Sequence, residues 1–148
     1  MSDQQAAASG PPVDWVVEAG KIGEFARAVL NQSAAYEPTD AVAPPTFPQS
    51  MALWRARRGS ARRGGGGGGG RDMRRVLHGE QEFEYVRPLR AGDVLTATSH
   101  VKNEYEKEGK RGGTMRFVVS ETVFRDQAGE IVAYSRGTTI VTSKAATE

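Results

Sequence analysis

The segment RVLHGEQEFEYVRPLRAGDVLTATS, residues Arg75–Ser99, decides the fold of this chain. Its first half alternates two sets of side chains: Leu77, Gly79, Gln81, Phe83 and Tyr85 at odd positions, and His78, Glu80, Glu82 and Glu84 at even positions. This period of two predicts a half-buried strand whose even residues face water. A second strand pattern begins near Val94, and Pro88, Gly92 and Asp93 favour a tight turn between the two. The segment therefore predicts a hairpin of two antiparallel strands.

Two more strands are predicted towards the C-terminus, after the charged and glycine-rich connection 102–113. In Thr114–Arg125 apolar side chains alternate between two faces. One face has Met115, Phe117, Val119 and Val123, and the opposite face has Val118 and Phe124. Glu130–Ser143 is rich in Val, Ile, Thr and Tyr, the residues that favour strands. Residues 126–129 supply a hairpin turn between these two strands.

Helical patterns lie on the N-terminal side of the opening segment. After a short extended run, Val13–Glu18, apolar residues recur at i, i+3, i+4 and i+7, and they are Ile22, Phe25, Ala26 and Val29. This spacing predicts an amphipathic helix at about Gly20–Leu30 that ends near Asn31. Thr46 is predicted to cap a second helix that contains Phe47, Met51 and Trp54. Helices followed by four long strands predict an α+β antiparallel sheet.

Composition limits what the chain is. A length of 148 residues with 38% hydrophobic and 26% charged side chains predicts one soluble domain with a single core. The chain has no cysteine, which excludes disulfides, thiolate catalysis and cysteine-bound metal. No apolar stretch reaches the roughly 20 residues of a membrane span, and the first residues lack the pattern of a secretory signal. We therefore expect a cytoplasmic protein without a membrane partner.

Residues 55–75 form a basic, low-complexity segment with eight arginines and seven consecutive glycines. Such a glycine run costs too much backbone entropy to stay ordered, so we predict a disordered insertion at about 55–75. We expect disordered tails at 1–12 and 144–148 as well, which leaves 13–143 as the domain. The rest of the chain is mildly acidic, which argues against nucleic-acid binding. The run also lacks the strand–turn–helix context of a nucleotide loop, although its arginines could attract phosphates.

Three motifs carry a family resemblance: Ala43–Pro48 (APPTFP), Leu77–Phe83 (LHGEQEF) and Arg87–Asp93 (RPLRAGD). Together they resemble the MaoC-like, or FAS1-like, dehydratases, which add water to acyl thioesters or remove it. They are also similar to the non-catalytic subunit of mycobacterial-type (R)-3-hydroxyacyl-ACP dehydratases. The resemblance covers about residues 13–143. It implies a hot-dog fold, in which a curled antiparallel sheet wraps a long central helix, and an acyl-CoA or acyl-carrier-protein substrate, with no cofactor and no metal.

The catalytic residues of that family are missing at the matching positions. Active members use an aspartate and a histidine, five positions apart, in a Gly-Asp-x-Asn-Pro-x-His motif. Here the matching stretch is 30–36, and Asn31 and Tyr36 occupy the two positions. An amide does not exchange a proton, and a tyrosine with a pKa of about 10 is a poor base at pH 7. The resemblance thus implies a fatty-acyl dehydratase or hydratase subunit that works with a catalytic hot-dog partner.

Two alternatives to the partner-subunit interpretation stay open. One is an acyl-thioester-binding hot-dog homodimer without activity, and the other is a stand-alone hydratase that uses a non-standard base. His78 is the candidate for that base, although the pattern places it on the glutamate face. The substrate-binding candidates are Pro45, Thr46, Phe47, Met51, Trp54 and Gly79. His100 is expected to be structural or exposed, and two histidines on separate strands do not make a metal site.

Overall fold

The computed structural model describes residues 10–51, 73–109 and 113–143. Its regular elements are β1 (Val13–Val16), α1 (Ala19–Ala28), β2 (Val76–Tyr85), β3 (Val94–Glu108), β4 (Thr114–Arg125) and β5 (Ile131–Thr142). Short 3-10 turns cover Ala34–Tyr36, Phe47–Ser50 and Met73–Arg75. Residues 1–9, 52–72, 110–112 and 144–148 lie outside the described residues, and most of the segments predicted to be disordered fall on them. The disordered tails, the disordered insertion at about 55–75 and the domain bounds 13–143 stay predictions.

All five strands form one open antiparallel sheet in the order β1-β3-β4-β5-β2. The predicted α+β arrangement is confirmed, and so is the β4–β5 hairpin, where Asp126 accepts hydrogen bonds from the N–H groups of Ala128 and Glu130. The predicted hairpin across Arg75–Ser99 is wrong, because β2 pairs with β5 while β3 pairs with β1 and β4. Local alternation identifies a strand, but the choice of neighbour depends on contacts made far along the chain.

The core lies on one face of this sheet, which we call the inner face; the opposite side is the outer face. The Trp15 ring stacks on Phe47 with centroids 5.5 Å apart and contacts Phe124 at 5.6 Å. Ile22 of α1 and Leu95 of β3 are completely buried in the same cluster. Burial of a large apolar side chain stabilises a fold by about 1.5–3 kcal/mol. This cluster therefore fixes α1 and the turn at 47–50 against the inner face.

The end of α1 differs from the expectation. The helix stops at Ala28, and the residue with left-handed backbone is Leu30, with φ of 60°, and not Asn31. The N–H of Asn31 donates to the carbonyl of Ala26 at 2.8 Å, and the N–H of Leu30 donates to that of Arg27 at 3.0 Å. These two bonds form a Schellman motif, in which glycine is the usual left-handed residue.

The second predicted helix is described only at its start. Residues Phe47–Ser50 form a 3-10 turn with Pro48 in its first positions, and Met51 is helical. Thr46 stands at the N-cap as predicted, but its side chain makes no capping hydrogen bond. The remainder of the predicted helix, including Trp54, lies outside the described residues.

A bulge at Gly79 changes which face the start of β2 presents. His78 pairs with Thr139 and Glu80 pairs with Thr138, so Gly79 has no direct partner. Thr139 also pairs with Val118, which shares the inner face with Phe124. The prediction that His78 lies on the glutamate face is therefore wrong, because one extra residue reverses the alternation.

Candidate functional site

An apolar pocket of about 300 Å³ opens between the loop that precedes the 47–50 turn and the end of β2. Val42, Ala43 and Pro45 line one wall, and residues 85–89 line the other. Two of the three family-like motifs, APPTFP and RPLRAGD, thus contribute to the same cavity. Its lining is mostly apolar, which is typical of sites for small apolar ligands.

Tyr85 holds the two walls of the pocket together. Its hydroxyl donates a hydrogen bond of 2.6 Å to the carbonyl of Pro45. Burial raises the pKa of Tyr85 to about 12, so the hydroxyl stays protonated and remains a donor at neutral pH. A β-bridge joins Val42 to Arg90, with the N–H of Ala43 donating to the carbonyl of Leu89 at 2.8 Å. The pocket is therefore preformed by backbone and side-chain bonds.

The RPLRAGD turn is stabilised by its own charged residues. The Asp93 carboxylate accepts a hydrogen bond of 2.8 Å from the Arg90 N–H and another of 2.8 Å from the Arg87 guanidinium. Gly92 has φ of +92°, a backbone angle that L side chains rarely adopt. The turn-stabilising role predicted for Asp93 is confirmed. Arg87 is engaged in the same ion pair, so its charge is largely compensated at the pocket rim.

Gln81, the central glutamine of LHGEQEF, links the 47–50 turn to the sheet. Its side-chain oxygen accepts a hydrogen bond of 2.9 Å from Gln49. Its amide group donates to the Ser135 hydroxyl at 2.9 Å and to the Arg136 carbonyl at 3.0 Å. Since both bonding groups of the amide are used, Gln81 fixes the distance between the turn and β5 on the inner face.

The two positions predicted to match the family dyad, Asn31 and Tyr36, have local structural contacts. The Asn31 side-chain oxygen accepts a hydrogen bond of 3.1 Å from the N–H of Ser33, and the Ser33 hydroxyl accepts one from Ala35. Tyr36 is half-buried and packs against the hydrophobic core. Neither contact is that of a proton-transfer pair. The segment after α1 is instead organised as a capped 3-10 turn.

The substrate-binding candidates fall into separate surroundings. Phe47 and Met51 are buried in the core, at 1% and 7% exposure. Pro45 lines the pocket, and Thr46 beside it is exposed. Gly79 lies outside the pocket lining, at the β2 bulge, where an added Cβ would stand 2.9 Å from the Ile140 side chain. Of the candidates in the described residues, Pro45 alone lines the pocket.

Two polar side chains, those of His78 and Ser50, take no part in the contacts described above. His78 is exposed on the inner face at the edge strand β2. The Ser50 hydroxyl is buried and makes no hydrogen bond in the described part of the chain.

A separate ionic cluster crosses the outer face of the sheet. Glu121 is 6% exposed and accepts hydrogen bonds from Lys102, at 2.6 Å, and from Arg136. His100 lies 3.3 Å from its other oxygen, which agrees with the structural role expected for this histidine. Burial raises the pKa of Glu121, but the bonds from Lys102 and Arg136 outweigh this and bring it below its ordinary value. Within the described ranges, no three acidic or histidine side chains are arranged to hold a metal ion.

Sequence reasoning missed Tyr85, Gln81 and Gln49 as residues that shape this site. Tyr85 and Gln81 were visible as inward positions of the β2 alternation, but their partners come from the loop at 45–49. Such partners lie 32–40 positions away in sequence.

None of the helices within residues 10–51, 73–109 and 113–143 has the length and apolar character needed to span a bilayer.

Comparisons with known proteins agree with the resemblance. A family model described as "FAS1-like, dehydratase domain region" matches residues 6–135. A "UPF0336 protein" of Thermobifida fusca is 32% identical over 133 residues, which cover 84% of this chain and 82% of that protein.

Solved structures support the fold. The HadBC (3R-hydroxyacyl-ACP dehydratase) complex of Mycobacterium tuberculosis contains a chain that matches with a TM-score of 0.69 and 22% identity, over 94% of this chain and 98% of that one. The ChsH1-ChsH2 complex of the same organism contains one with a TM-score of 0.66 and 17% identity, over 93% and 86%. The predicted hot-dog fold is confirmed, as an open five-stranded sheet.

Proposed function

The chain belongs to the family of FAS1-like dehydratase domains, and we propose on this basis that it is a component of an (R)-3-hydroxyacyl-thioester dehydratase. In the reverse direction the same assembly would hydrate an enoyl thioester. This chain would be the substrate-binding subunit, and a second hot-dog chain would carry the catalytic aspartate and histidine. The substrate would be an acyl chain on coenzyme A or on an acyl-carrier protein, in fatty-acyl metabolism.

The observation that carries this proposal is the set of contacts that Asn31 and Tyr36 make. Dehydration of a 3-hydroxyacyl thioester removes the proton next to the thioester carbonyl and protonates the leaving hydroxyl, which requires a base and an acid within reach of both sites. The Asn31 carboxamide cannot exchange a proton, and it is hydrogen-bonded to Ser33. Tyr36 is packed against the core. These contacts support the proposal that this chain does not itself supply the proton-transfer pair.

The pocket supports a substrate-binding role. An acyl chain gains about 0.8 kcal/mol for each methylene that it buries, and a cavity of about 300 Å³ has room for a short run of methylenes. The Tyr85 hydroxyl is already bonded to Pro45, so it adds no unsatisfied polar group to the cavity. The wall formed by Val42, Ala43 and Pro45 would hold the chain while the partner acts on the thioester.

The edge strand β2 supports the pairing with a second hot-dog. In the described residues β2 pairs with β5 on one side only, and it is ten residues long. A long strand edge presents free N–H and carbonyl groups and tends to pair with another chain. Hot-dog chains in the HadBC and ChsH1-ChsH2 complexes are found with partners. We infer that β2 is where the catalytic subunit joins.

The deciding assay is hydration of a trans-2-enoyl-CoA by the purified chain. We expect no turnover by the chain alone and turnover when a hot-dog subunit with an intact Asp-x4-His spacing is added. Turnover by the chain alone that is lost in His78→Ala would contradict the proposal and identify a non-standard base. Acyl-CoA binding without turnover beside every tested partner would instead support the inactive homodimer.

A pocket-filling variant tests the substrate-binding role separately. Ala43→Phe should fill the cavity, since Ala43 lines it, while the Ala43 N–H keeps its bond to Leu89. Val29→Phe is the matched control, because Val29 is 50% exposed at the end of α1 and outside the cavity. We expect the first variant to weaken acyl-CoA binding about tenfold or more, measured by calorimetry, and the control to bind normally. Equal binding by both variants would place the acyl chain elsewhere.

A further inference from the structure

The outer face of the sheet carries an apolar row that crosses four strands. Strand register aligns Tyr105 with Phe117, Phe117 with Ile140, and Ile140 with Leu77. We call these four residues the apolar row. Their side chains share the face of Glu121, because Phe117 and Glu121 are four positions apart on β4 without an intervening bulge. α1 and the turn at 47–50 lie on the other face of the sheet.

The apolar row is accessible in the described part of the chain. Leu77 is 47% exposed, and the other three members are partly exposed. The Tyr105 and Phe117 rings stack with centroids 4.9 Å apart, and the Lys107 ammonium lies 5.1 Å and 5.4 Å from the two rings. A contiguous, rigid aromatic and aliphatic surface of this kind is typical of a contact with another macromolecule.

Charged side chains on the outer face are separated by sign. On β2 the outward residues beyond Leu77 are acidic: Glu80, Glu82 and Glu84. On β3, at the opposite end of the row, the outward side chains include His100, Lys102 and Lys107. The bulge at Lys102 directs its ammonium onto the same carboxylate as His100. Between the two groups, Arg136 pairs with Glu82 and Glu84, and Glu121 pairs with His100 and Lys102. Glu80, Glu82 and Glu84 nevertheless leave β2 acidic, while Lys102 and Lys107 leave β3 basic.

We propose that the outer face binds the outer face of a second copy of this chain. A twofold axis parallel to the strands, between β4 and β5, lays β2 of one copy over β3 of the other. The apolar row then meets itself, with Leu77 over Tyr105 and Ile140 over Phe117. By the same register Glu82 of one copy lies over His100 of the other, beside Lys102, and Glu80 lies over Asn103. A single surface that supplies both complementary halves in register is the requirement for a symmetric, isologous dimer.

This contact is separate from the strand edge that the catalytic partner would use. Edge pairing uses the backbone of β2. Stacked sheets, in contrast, lie about 10 Å apart and touch through their side chains. Four strands span only about 14 Å, at about 4.8 Å between neighbours. We therefore expect a modest interface, with association that depends on protein concentration and weakens with salt. The inference does not rest on the proposed function.

Sedimentation velocity of the full chain tests the proposal with a disruptive variant. Phe117→Glu places a charge in the apolar row and should prevent the contact. Wild type should therefore show a species that grows with protein concentration and has twice the mass of the largest species formed by Phe117→Glu. Val29→Glu is the control, because it adds the same charge to an exposed valine on α1. Wild-type mass that is unchanged with concentration would overturn the proposal, and so would identical behaviour of Phe117→Glu and wild type.

A charge exchange tests the orientation and uses only surface changes. Glu80 and Asn103 occupy one register row, through Thr138 and Val119, and the twofold axis lays them over each other. Asn103→Glu alone should weaken association about tenfold, because it places a second carboxylate over Glu80, whereas Glu80→Lys alone faces a neutral amide and should change association little. The double variant, with a lysine over a glutamate, should restore association to near the wild-type value. A double variant that is as weak as Asn103→Glu, or an Asn103→Glu variant that associates normally, would overturn the arrangement.

Discussion

At the scale of single residues, the sharpest departure from sequence preference is Leu30. It adopts φ of 60° and is 87% exposed. Left-handed backbone costs an L residue about 1–2 kcal/mol, and glycine avoids that cost. The exposed side chain gives little burial energy in return. The strain lies one residue before Asn31, in the segment predicted to match the family's catalytic motif.

Leu30→Gly is expected to stabilise the chain. The left-handed strain is removed, while the two Schellman hydrogen bonds are made by backbone groups and persist. We expect the free energy of unfolding in urea to rise by about 1 kcal/mol. Val29→Gly is the control: Val29 has φ of −93°, so glycine relieves no strain there and should lower the free energy of unfolding. A Leu30→Gly chain less stable than wild type would mean that the leucine side chain makes a stabilising contact.

At the scale of elements, the Tyr85 hydroxyl connects β2 to the loop that begins the 47–50 turn. Tyr85→Phe removes this bond and leaves the Pro45 carbonyl without the donor. We expect the free energy of unfolding to fall by about 1 kcal/mol. Thr96→Val is a matched control, because it removes an exposed hydroxyl bonded to Asp14 at the opposite sheet edge. If Tyr85→Phe cost no more than this control, the bond would not stabilise the pocket wall.

The ionic cluster connects β3, β4 and β5 through Glu121, and its contribution to stability depends on pH. The depressed pKa of Glu121 means that the folded state favours the carboxylate more than the unfolded state does. Its contribution to stability is therefore complete above the ordinary glutamate pKa of about 4.5 and is lost as pH falls through the lower, folded value. The same carboxylate accepts hydrogen bonds from the charged groups of Lys102 and Arg136.

Glu121→Gln should remove this pH dependence and destabilise the sheet at pH 7. A neutral amide leaves the Lys102 and Arg136 charges less compensated, so we expect a loss of about 2–4 kcal/mol at pH 7. The difference between wild type and variant should shrink as pH falls below 4.5, measured by thermal unfolding across that range. Glu80→Gln, an exposed change on the same face, serves as the control. A difference that stays constant with pH would show that the carboxylate charge does not stabilise the fold.

At the scale of the whole molecule, the sheet order predicts an uneven stability. β4 is paired on both sides, by β3 and β5, whereas β1 and β2 each have one neighbour. Amides that open only with global unfolding exchange most slowly. We therefore expect the slowest hydrogen exchange in β4, measured by mass spectrometry, and faster exchange in β1 and β2. Slow exchange in β2 of the isolated chain that matches β4 would show that its free edge is already paired.

Hydrogen exchange also separates the two contacts proposed for this molecule. Addition of a catalytic hot-dog subunit should protect β2 amides, because edge pairing uses backbone groups. Association through the outer face should leave those amides unchanged, because it uses side chains. Protection of β2 that is lost in Phe117→Glu would contradict this separation.

The sequence by itself determined the elements and the family. Alternation in β2 and β4, the helical spacing of Ile22 to Val29, and the turn at 126–129 are local patterns, and each produced the predicted element. The three family-like motifs and the Asn31 and Tyr36 substitutions also required no structure to recognise. These features depend on the order of neighbouring residues, which a single sequence displays completely.

Only the tertiary structure decided which elements meet. The pairing of β2 with β5, the bulge that turns His78 to the inner face, and the bond from Tyr85 to Pro45 join residues tens of positions apart. The apolar row was equally hidden, since Leu77, Phe117 and Ile140 align only through strand register. Local sequence fixes backbone preference, but neighbour choice follows from burying one shared core, and that is a property of the whole chain.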